Sequence, residues 1–376
     1  MIYLNNAATS FPKPSSVHQA VIEYLQNPPL QQERMGYSKS SSDRVWKCRE
    51  KLAKFFGTQH PERIIFTSGS TEALNLAIFG LDLQSGHVIT TAIEHNSVIR
   101  PLKKLEYSHI IELTIVPCDS AGYVDPADIA QAIRPNTKAI VFNHCSNVTG
   151  SCINISSVTE IANAKKIPVL VDVSQSAGTL AIDIEKDHID LLAFTGHKSL
   201  YGLPGIGGLY IAPEIHLKPL KVGGTGIKSE LLEQPQDMPI YYESGTLNLP
   251  GIVSLAAGID FVMEQGIEEI HHRKYTLIRL LYEELARMPE VRLIGNLSQE
   301  PTLLSFQIQG KEPGDVAYML DTCFDIAVRS GLHCAPLIHQ ALGTYPRGSI
   351  RASPSYFTTE EEIMTLIHAI QKIVTL

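Results

Sequence analysis

The sequence predicts an α/β protein: a large domain on a mostly parallel sheet with helices on both faces, plus a smaller α+β domain. Three observations lead there. Short apolar runs recur through the middle of the chain without polar alternation, as strands buried on both faces require. Stretches of helix length separate most of them, the texture of parallel strands joined by crossover helices. From Gly251 onward the pattern changes to long helices followed by short strands.

In chain order, "RIIFT" (Arg63 to Thr67) reads as a strand and "TEALNLAIFGL" as the helix after it. "GHVITT" (Gly86 to Thr91), "KAIVFNH" (Lys138 to His144), "IPVLVDV" (Ile167 to Val173) and "IDLLAFT" (Ile189 to Thr195) are further buried strands. A helical stretch runs from about Gly251 to Met288, interrupted near Gly266, ahead of "TLLSFQI" and "DIAVRS" as short strands. The last helix is well signalled. Thr359 with Glu362 three residues on forms a capping box, and Ile363, Leu366, Ile367, Ile370 and Ile373 make one apolar stripe. These features place a large domain over residues 15–250. A small domain over 1–14 and 251–376 carries the C-terminal helix and the cysteine loop of "RSGLHCAP".

Composition narrows the function. With 44% hydrophobic and 19% charged residues in 376, the chain has the profile of an ordinary soluble globular protein. A net charge of −8, with no basic run longer than "HHRK", argues against a nucleic-acid partner. "MIYLNNAATSFPKP" lacks the basic and apolar regions of a signal peptide, and no run of about 18 uncharged apolar residues predicts a membrane span. The expected compartment is the cytoplasm. Six cysteines (48, 118, 145, 152, 323 and 334) are scattered without CxxC spacing, which suggests neither a disulfide framework nor a zinc ribbon, and reduced thiols are expected. His144, Cys145 and Cys152 have the wrong spacing for a common zinc finger, so no metal is expected, and Cys145 reads as structural.

The most informative stretch is "FTGHKSLYGLPGIGGLYI", where a buried strand delivers Thr195, then Gly196, His197 and Lys198. A lysine there is costly unless it snorkels, is paired or is chemically used. Glycines 205, 207 and 208 are no dinucleotide fingerprint, because Tyr210 stands where the third glycine belongs and a strand follows rather than a helix. Upstream, "VLVDVSQSAG" places Asp172 at a buried strand end with Gln175 three residues later; a buried carboxylate demands a cationic partner. "TSGSTEALN", with Ser70 and Thr71, joins a strand to a helix in the way that binds phosphate on free amides, although it also makes an ordinary cap. "AIEHNSV" puts His95 just beyond another strand. A phosphate cradle, a buried acid, a strand-end lysine and an aromatic ring share one explanation, pyridoxal 5′-phosphate, which needs a lysine for its Schiff base, an acid for its pyridine nitrogen and anchors for its phosphate.

On these residues the chain resembles the class V branch of fold-type I pyridoxal-phosphate enzymes, in the cysteine desulfurase and selenocysteine lyase group. The resemblance runs from "YLNNAATS" through "TSGSTEALN", "EHN", "NHCSNVTG", "VDVSQSAG", "FTGHK" and "ESGTLN" to "RSGLHCAP" and "GSIRASPSYFTTEEEI". It implies that Lys198 carries the cofactor, that Asp172 faces the pyridine nitrogen, that Gln175 faces the phenolic oxygen and that His95 stacks on the ring. Ser70, Thr71, Thr195 and His197 would hold the phosphate, with Thr246 reaching it from the partner of a homodimer. Asn147 and Arg351 would bind the substrate carboxylate.

Taken alone, Cys334 is packing material, a metal ligand or a nucleophile. The resemblance implies a nucleophile that takes sulfur from L-cysteine, leaving alanine and a persulfide, with selenocysteine as a related substrate. The "LHCAP" setting resembles the short-loop branch, which includes the SUF-type enzymes. A thiolate here needs nearby cations or dipoles, and His333 is one candidate source. The sequence departs from relatives at Asn5, where aspartate is frequent, at Leu332, where histidine is, and at Thr358, where asparagine is. Two other chemistries suit the same scaffold: a C–S lyase yielding pyruvate and ammonia, and an aminotransferase with no need of Cys334. The sequence does not identify a sulfur-acceptor protein.

Overall fold

The fold is described from a computed structural model, which covers residues 1–27 and 43–375. After a short β1 (Ile2–Tyr3), seven strands form one sheet: β2 (Ile64–Thr67), β3 (Gly86–Thr91), β4 (Ile111–Val116), β5 (Thr137–Asn143), β6 (Val169–Asp172), β7 (Leu191–Thr195) and β8 (Gly207–Ile211). Their order is β2-β8-β7-β6-β5-β3-β4. Only β8 runs against its neighbours.

The missing alternation in these strands now has a cause. Alternate residues enter two different cores, one on each face of the sheet. Ile140 and Phe142 join Ile89, Val169, Val171, Leu192 and Phe194 on one side, while Ala139 and Val141 join Val88, Leu170 and Leu191 on the other. The helices of this part are α1 (Ser15–Gln26), α2 (Arg44–Phe55), α3 (Ser70–Gly80), α4 (Asn96–Tyr107), α5 (Pro126–Gln131), α6 (Ile155–Asn163) and α7 (Leu249–Gln265). Apolar residues of α3 and α4 seal one face of the sheet, and those of α2, α6 and α7 seal the other. The expected domain boundary at residue 250 falls at the start of α7, whose Ile252, Leu255 and Ile259 lie in the large core.

The remainder forms a four-stranded antiparallel sheet and its covering helices. In chain order these are α8 (Ile267–Leu285), β9 (Val291–Ile294), β10 (Leu304–Ile308), α9 (Pro313–Phe324), β11 (Ile326–Ala327), β12 (Arg329–Gly331), α10 (Pro336–Ala341), β13 (Ser349–Ala352) and α11 (Glu360–Thr375), with sheet order β12-β13-β10-β9. "DIAVRS" is not the single strand expected: it divides at Val328, β11 pairing with β1 and β12 with β13. The capping box is as expected, with Glu362 N donating to Thr359 Oγ1 (3.2 Å) and Thr359 N to Glu362 Oε2 (2.9 Å). Among the described residues no helix is long and apolar enough to cross a membrane.

One expectation about cysteine is overturned. Cys145 and Cys152 are joined by a disulfide. The sequence shows no CxxC spacing, but the chain turns back after β5 as a hairpin that sets these two residues opposite each other as an antiparallel bridge. The other four cysteines are free thiols.

Strand β2 ends the sheet, and an edge strand leaves backbone groups unpaired. A buried ion pair covers them. Arg49 of α2 donates to the Ile64 carbonyl, Glu243 accepts from Phe66 N (2.6 Å), and the two side chains meet at 2.5 Å, almost wholly buried. Removing one partner of such a pair strands a buried charge, at a cost of roughly 3–5 kcal/mol. Arg49→Ala should therefore lower the unfolding free energy from denaturant titration by that amount; a loss below about 1 kcal/mol, the range of an exposed pair, would mean the pair does not hold this edge.

Candidate active site

The carboxyl ends of β6 and β7 face the amino ends of α3 and α4, and the chemically distinctive residues gather there. The residues ahead of α3 form a tight turn. Thr67 Oγ1 donates to Gly69 O (3.0 Å), and the amides of Glu72 and Ala73 also donate to that carbonyl. Thr71 Oγ1 meets Ser97 Oγ at 2.7 Å, tying the starts of the two helices together. A Cβ on Gly207 would lie 2.5 Å from the Phe194 carbonyl oxygen and 2.7 Å from Gly69 Cα, and one on Gly208 would strike the Phe194 ring at 2.5 Å. The glycines that fail as a dinucleotide motif thus let β8 press under this turn.

His95 caps α4. Its Nδ1 accepts from Ser97 N (3.0 Å), so the ring proton sits on Nε2. Burial, helped by Lys198, Arg329, Arg100 and Arg351, holds its pKa down near 4, so the ring is neutral. Lys198 follows β7 in a loop that the N-terminal segment clamps, since the His197 carbonyl accepts from Ser10 N (3.0 Å), Thr9 Oγ1 (3.2 Å) and Lys13 Nζ (3.0 Å). Desolvation lowers the Lys198 pKa to about 8, against the pull of Asp172. Asp172 is 3% exposed, and its Oδ1 accepts from both Ser174 N (2.9 Å) and Ser174 Oγ. Burial raises its pKa, with Ser174 and Lys198 opposing. Glu94, fully buried, accepts from Asn143 N (3.0 Å) and has its pKa lifted to about 8, mainly by burial, so it is uncharged at neutral pH.

The small domain contributes positive charge. Arg329 on β12 stands directly opposite Arg351 on β13, and opposed residues of an antiparallel pair project on one face. Arg351 is fully buried; it donates to the Asn147 carbonyl (2.8 Å) and to Asn5 Oδ1 (3.5 Å), while its Nε has no partner among the described residues. Burial, then Arg329, brings its pKa down to about 9. Asn5 therefore meets this guanidinium as a neutral acceptor, where a frequent aspartate would neutralise it. Asn147 Nδ2 donates to the His333 carbonyl (2.6 Å), and its Oδ1 is buried without a partner.

Cys334 sits at the tip of a tight turn. Ala335 N bonds to the Leu332 carbonyl (2.9 Å), and the two residues between, His333 (φ 50°) and Cys334 (φ 61°), are both left-handed, a geometry that disfavours non-glycine residues. Arg329 Nη2 lies 3.3 Å from Cys334 Sγ. His333 is not the cation beside the thiol. It is buried with Nε2 against Ser349 Oγ (2.9 Å), and desolvation drives its pKa to about 2.

The fold thus brings His95, Asp172, Lys198, Cys334 and Arg351 within electrostatic reach of one another where the sheet meets the small domain, with Asn147 bonded to Arg351, Thr71 linked to His95 through Ser97, Thr195 and His197 preceding Lys198, and Ser70 opening α3. Gln175 follows Asp172 by three residues, its Nε2 donating to the Ala7 carbonyl (3.0 Å). Thr246 does not join them in the single chain, where it is exposed. Arg329 was missed from the sequence. Its signal was its place in "RSGLHC", five residues before the cysteine, but only strand pairing shows that it faces both Cys334 and Arg351.

Comparison with known proteins agrees with this geometry. The class-V aminotransferase family profile matches residues 2–366. A Methanothermobacter thermautotrophicus protein named "Probable cysteine desulfurase" is 32% identical, the alignment covering 99% of this chain and 94% of that protein. The apo structure of a cysteine desulfurase from Thermococcus onnurineus NA1 superposes with a TM-score of 0.91 at 31% identity, covering 100% of this chain and 94% of that one. An Escherichia coli cysteine desulfurase, solved in its S-sulfonic acid form, gives 0.89 at 26% identity, covering 99% and 94%. With its profile matched along nearly the whole length, and with a strand-end lysine, a buried acid and a loop cysteine in one cleft, this chain belongs to the class-V aminotransferase family, among relatives named as cysteine desulfurases.

Proposed function

We propose that this protein is a pyridoxal-phosphate-dependent cysteine desulfurase that converts L-cysteine to L-alanine and keeps the sulfur as a persulfide on Cys334. The observation that carries the reading is the Cys334 thiol 3.3 Å from Arg329 Nη2, in a cleft it shares with Lys198 and the buried Arg351. A lyase or an aminotransferase needs no such sulfur.

The residues fit the cofactor. Three cations, Lys198, Arg329 and Arg351, face one carboxylate, Asp172, and a buried surplus of positive charge demands anionic ligands. The buried His197 Nδ1 has no partner among the described residues, as a phosphate neighbour requires. Ser70, Thr71, Thr195 and His197 would hold the phosphate, Asp172 the ring nitrogen, Gln175 the phenolic oxygen and His95 the ring face. When bound, the cofactor supplies the electron sink that lets the substrate Cα–H bond ionise.

The chain does the rest. Arg351 grips the substrate carboxylate through its Nε, which has no partner among the described residues, and Asn147 adds the second hydrogen of its Nδ2, the first being on the His333 carbonyl. Lys198 Nζ, easily deprotonated near neutral pH, takes and returns the Cα proton. Cys334 Sγ, beside the Arg329 guanidinium, attacks the substrate sulfur. The C–S bond breaks, an S–S bond forms, and the carbon side takes up a proton to leave as alanine. Selenocysteine fits the same steps. In our reading the exposed Thr246 reaches the phosphate of a second subunit, and exposed Leu220, Val222, Leu231 and Leu232 in the segment before it suit a two-fold homodimer. Four free thiols fit a reducing compartment, in our reading the cytoplasm.

Three results are expected. Loading of apoprotein with pyridoxal phosphate, followed by visible absorbance, should speed up with pH and level off above about 8, where Lys198 is mostly amine. A rate still climbing near pH 10, as an ordinary lysine at about 10.4 would give, would mean Lys198 is not the acceptor.

Arg351→Ala should raise the cysteine KM by at least about 30-fold, the low end of losing a buried charged contact, while leaving cofactor absorbance intact. Equal loss of both would make Arg351 a structural residue.

Cys334→Ser should keep the cofactor and lose alanine formation from cysteine by at least about 100-fold, since a serine hydroxyl is a poor nucleophile toward sulfur. Single-turnover alanine release, with mass spectrometry of the loop peptide for one added sulfur atom, decides it. Wild-type rates in the variant, with pyruvate as the main wild-type product, would put the lyase reading ahead.

A further inference from the structure

The Cys145–Cys152 disulfide closes the hairpin that follows β5, and this hairpin is the only element that touches both the guanidinium and the Cys334 turn through one residue, Asn147, among the described hydrogen bonds. Three contacts radiate from the ring between the two cysteines. Asn147 Nδ2 holds the His333 carbonyl (2.6 Å), the Asn147 carbonyl accepts from Arg351 (2.8 Å), and the Val148 carbonyl accepts from Ser305 Oγ (2.6 Å). At the base of the hairpin, His144 N donates to the Asp172 carbonyl (3.0 Å) and Ile153 N to the His144 carbonyl (2.9 Å). The cross-link therefore joins the strand end that positions Asp172 to the loop that positions Arg351 and the nucleophile.

Cys152 is the more accessible side of the bond. Cys145 is buried and Cys152 half-buried, and both line a narrow cleft with Gln175, His271, Gln299 and Pro301. A disulfide exposed at a groove in a reducing compartment is a reversible one.

We propose that Cys145 and Cys152 are a thiol–disulfide modification site that sets substrate affinity, with the disulfide form holding Asn147 and Arg351 ready for the carboxylate and the dithiol form relaxing them. A dithiol reductant attacks the more accessible Cys152 sulfur; the Cys145–Cys152 bond breaks, Cys145 leaves as thiolate and is protonated, and a mixed disulfide forms. The second thiol of the reductant then displaces Cys152, so that the reductant ends oxidised and the pair reduced by two electrons. A hydroperoxide returns it, the two thiols giving the disulfide, an alcohol and water. Closing so short a ring removes less chain entropy than closing a long one would.

The functional half of this proposal rests on the desulfurase reading, so the test has two arms. The holoenzyme, isolated without reductant, is compared with the same protein treated with dithiothreitol and desalted, and with the Cys145→Ser/Cys152→Ser double variant. Cysteine KM and kcat come from alanine release. L-alanine affinity, read as the change in visible absorbance of the holoenzyme, needs no turnover. Peptide mapping detects the linked pair. The expected result is a linked peptide in the untreated protein only, and a KM and alanine dissociation constant about fivefold higher in both open forms at a kcat within about twofold, well inside the hundredfold that an ångström of misplacement can cost. The double variant should ignore dithiothreitol, which separates this site from Cys334. If it fails to fold, Cys152→Ala alone takes its place, because Cys145 then remains as a small buried side chain. Six free thiols in the untreated protein, or equal affinities in all forms, would overturn the proposal. Absence of alanine from cysteine in every form, with the affinity shift intact, would sink the desulfurase reading and leave the modification site standing.

Discussion

Two arginines set opposite each other on adjacent strands are the constraint on which the rest of the site depends. Arg329 and Arg351 form a cross-strand pair of like charges, normally a destabilising arrangement, and Arg351 is fully buried. Burial and this neighbour together make the Arg351 guanidinium easier to deprotonate than usual, a sign of unbalanced charge. Each arginine has found a partial answer. Arg329 turns to the Cys334 sulfur, and Arg351 to the Asn147 carbonyl and Asn5. Neither answer is a carboxylate. A pair left without a carboxylate among the described residues suits an incoming anion, and the substrate carboxylate is the anion that the proposed chemistry brings there.

The surroundings keep that surplus from being quenched. Glu94 is close enough to Asp172 to influence it, but burial leaves Glu94 protonated and therefore silent. His95, His197 and His333 are all held neutral by desolvation, so they add no positive charge either. Among the described residues Asp172 is thereby the single ionised carboxylate facing Lys198. The electrostatics of the cleft are simple because most of its titratable groups have been switched off by burial.

Geometry comes from the sheet and its two attached segments. Parallel strands end together, so β6 and β7 deliver Asp172 and the Lys198 loop side by side, and the helices that follow β2 and β3 start at that same edge. The N-terminal residues 9–13 fold over the Lys198 loop through the His197 carbonyl, and β1 pairs with β11 in the small domain. The chain start therefore bridges the two halves of the cleft. The strained turn at His333 and Cys334 is held from both sides, by Asn147 on the carbonyl of His333 and by Asn96 N on that of Cys334 (2.7 Å).

Local chemistry was legible in the sequence wherever neighbours along the chain determine the outcome. The strand runs of β2, β3, β5, β6 and β7, the capping box of α11 and the group around Lys198 and Asp172 follow from short patterns, because apolar periodicity and capping act over a few residues. Cys334 needed more than its own stretch, which by itself favoured packing material. Strand pairing and chain reversal decided the rest. Arg329 became a site residue only when β12 lined up with β13, and Cys145 met Cys152 only when a hairpin reversed the chain. Assigning α7 to the large core required knowing which face of the sheet it covers. Such contacts depend on how elements far apart in sequence are laid against one another, and a one-dimensional pattern carries only the preference of each element, not its neighbour.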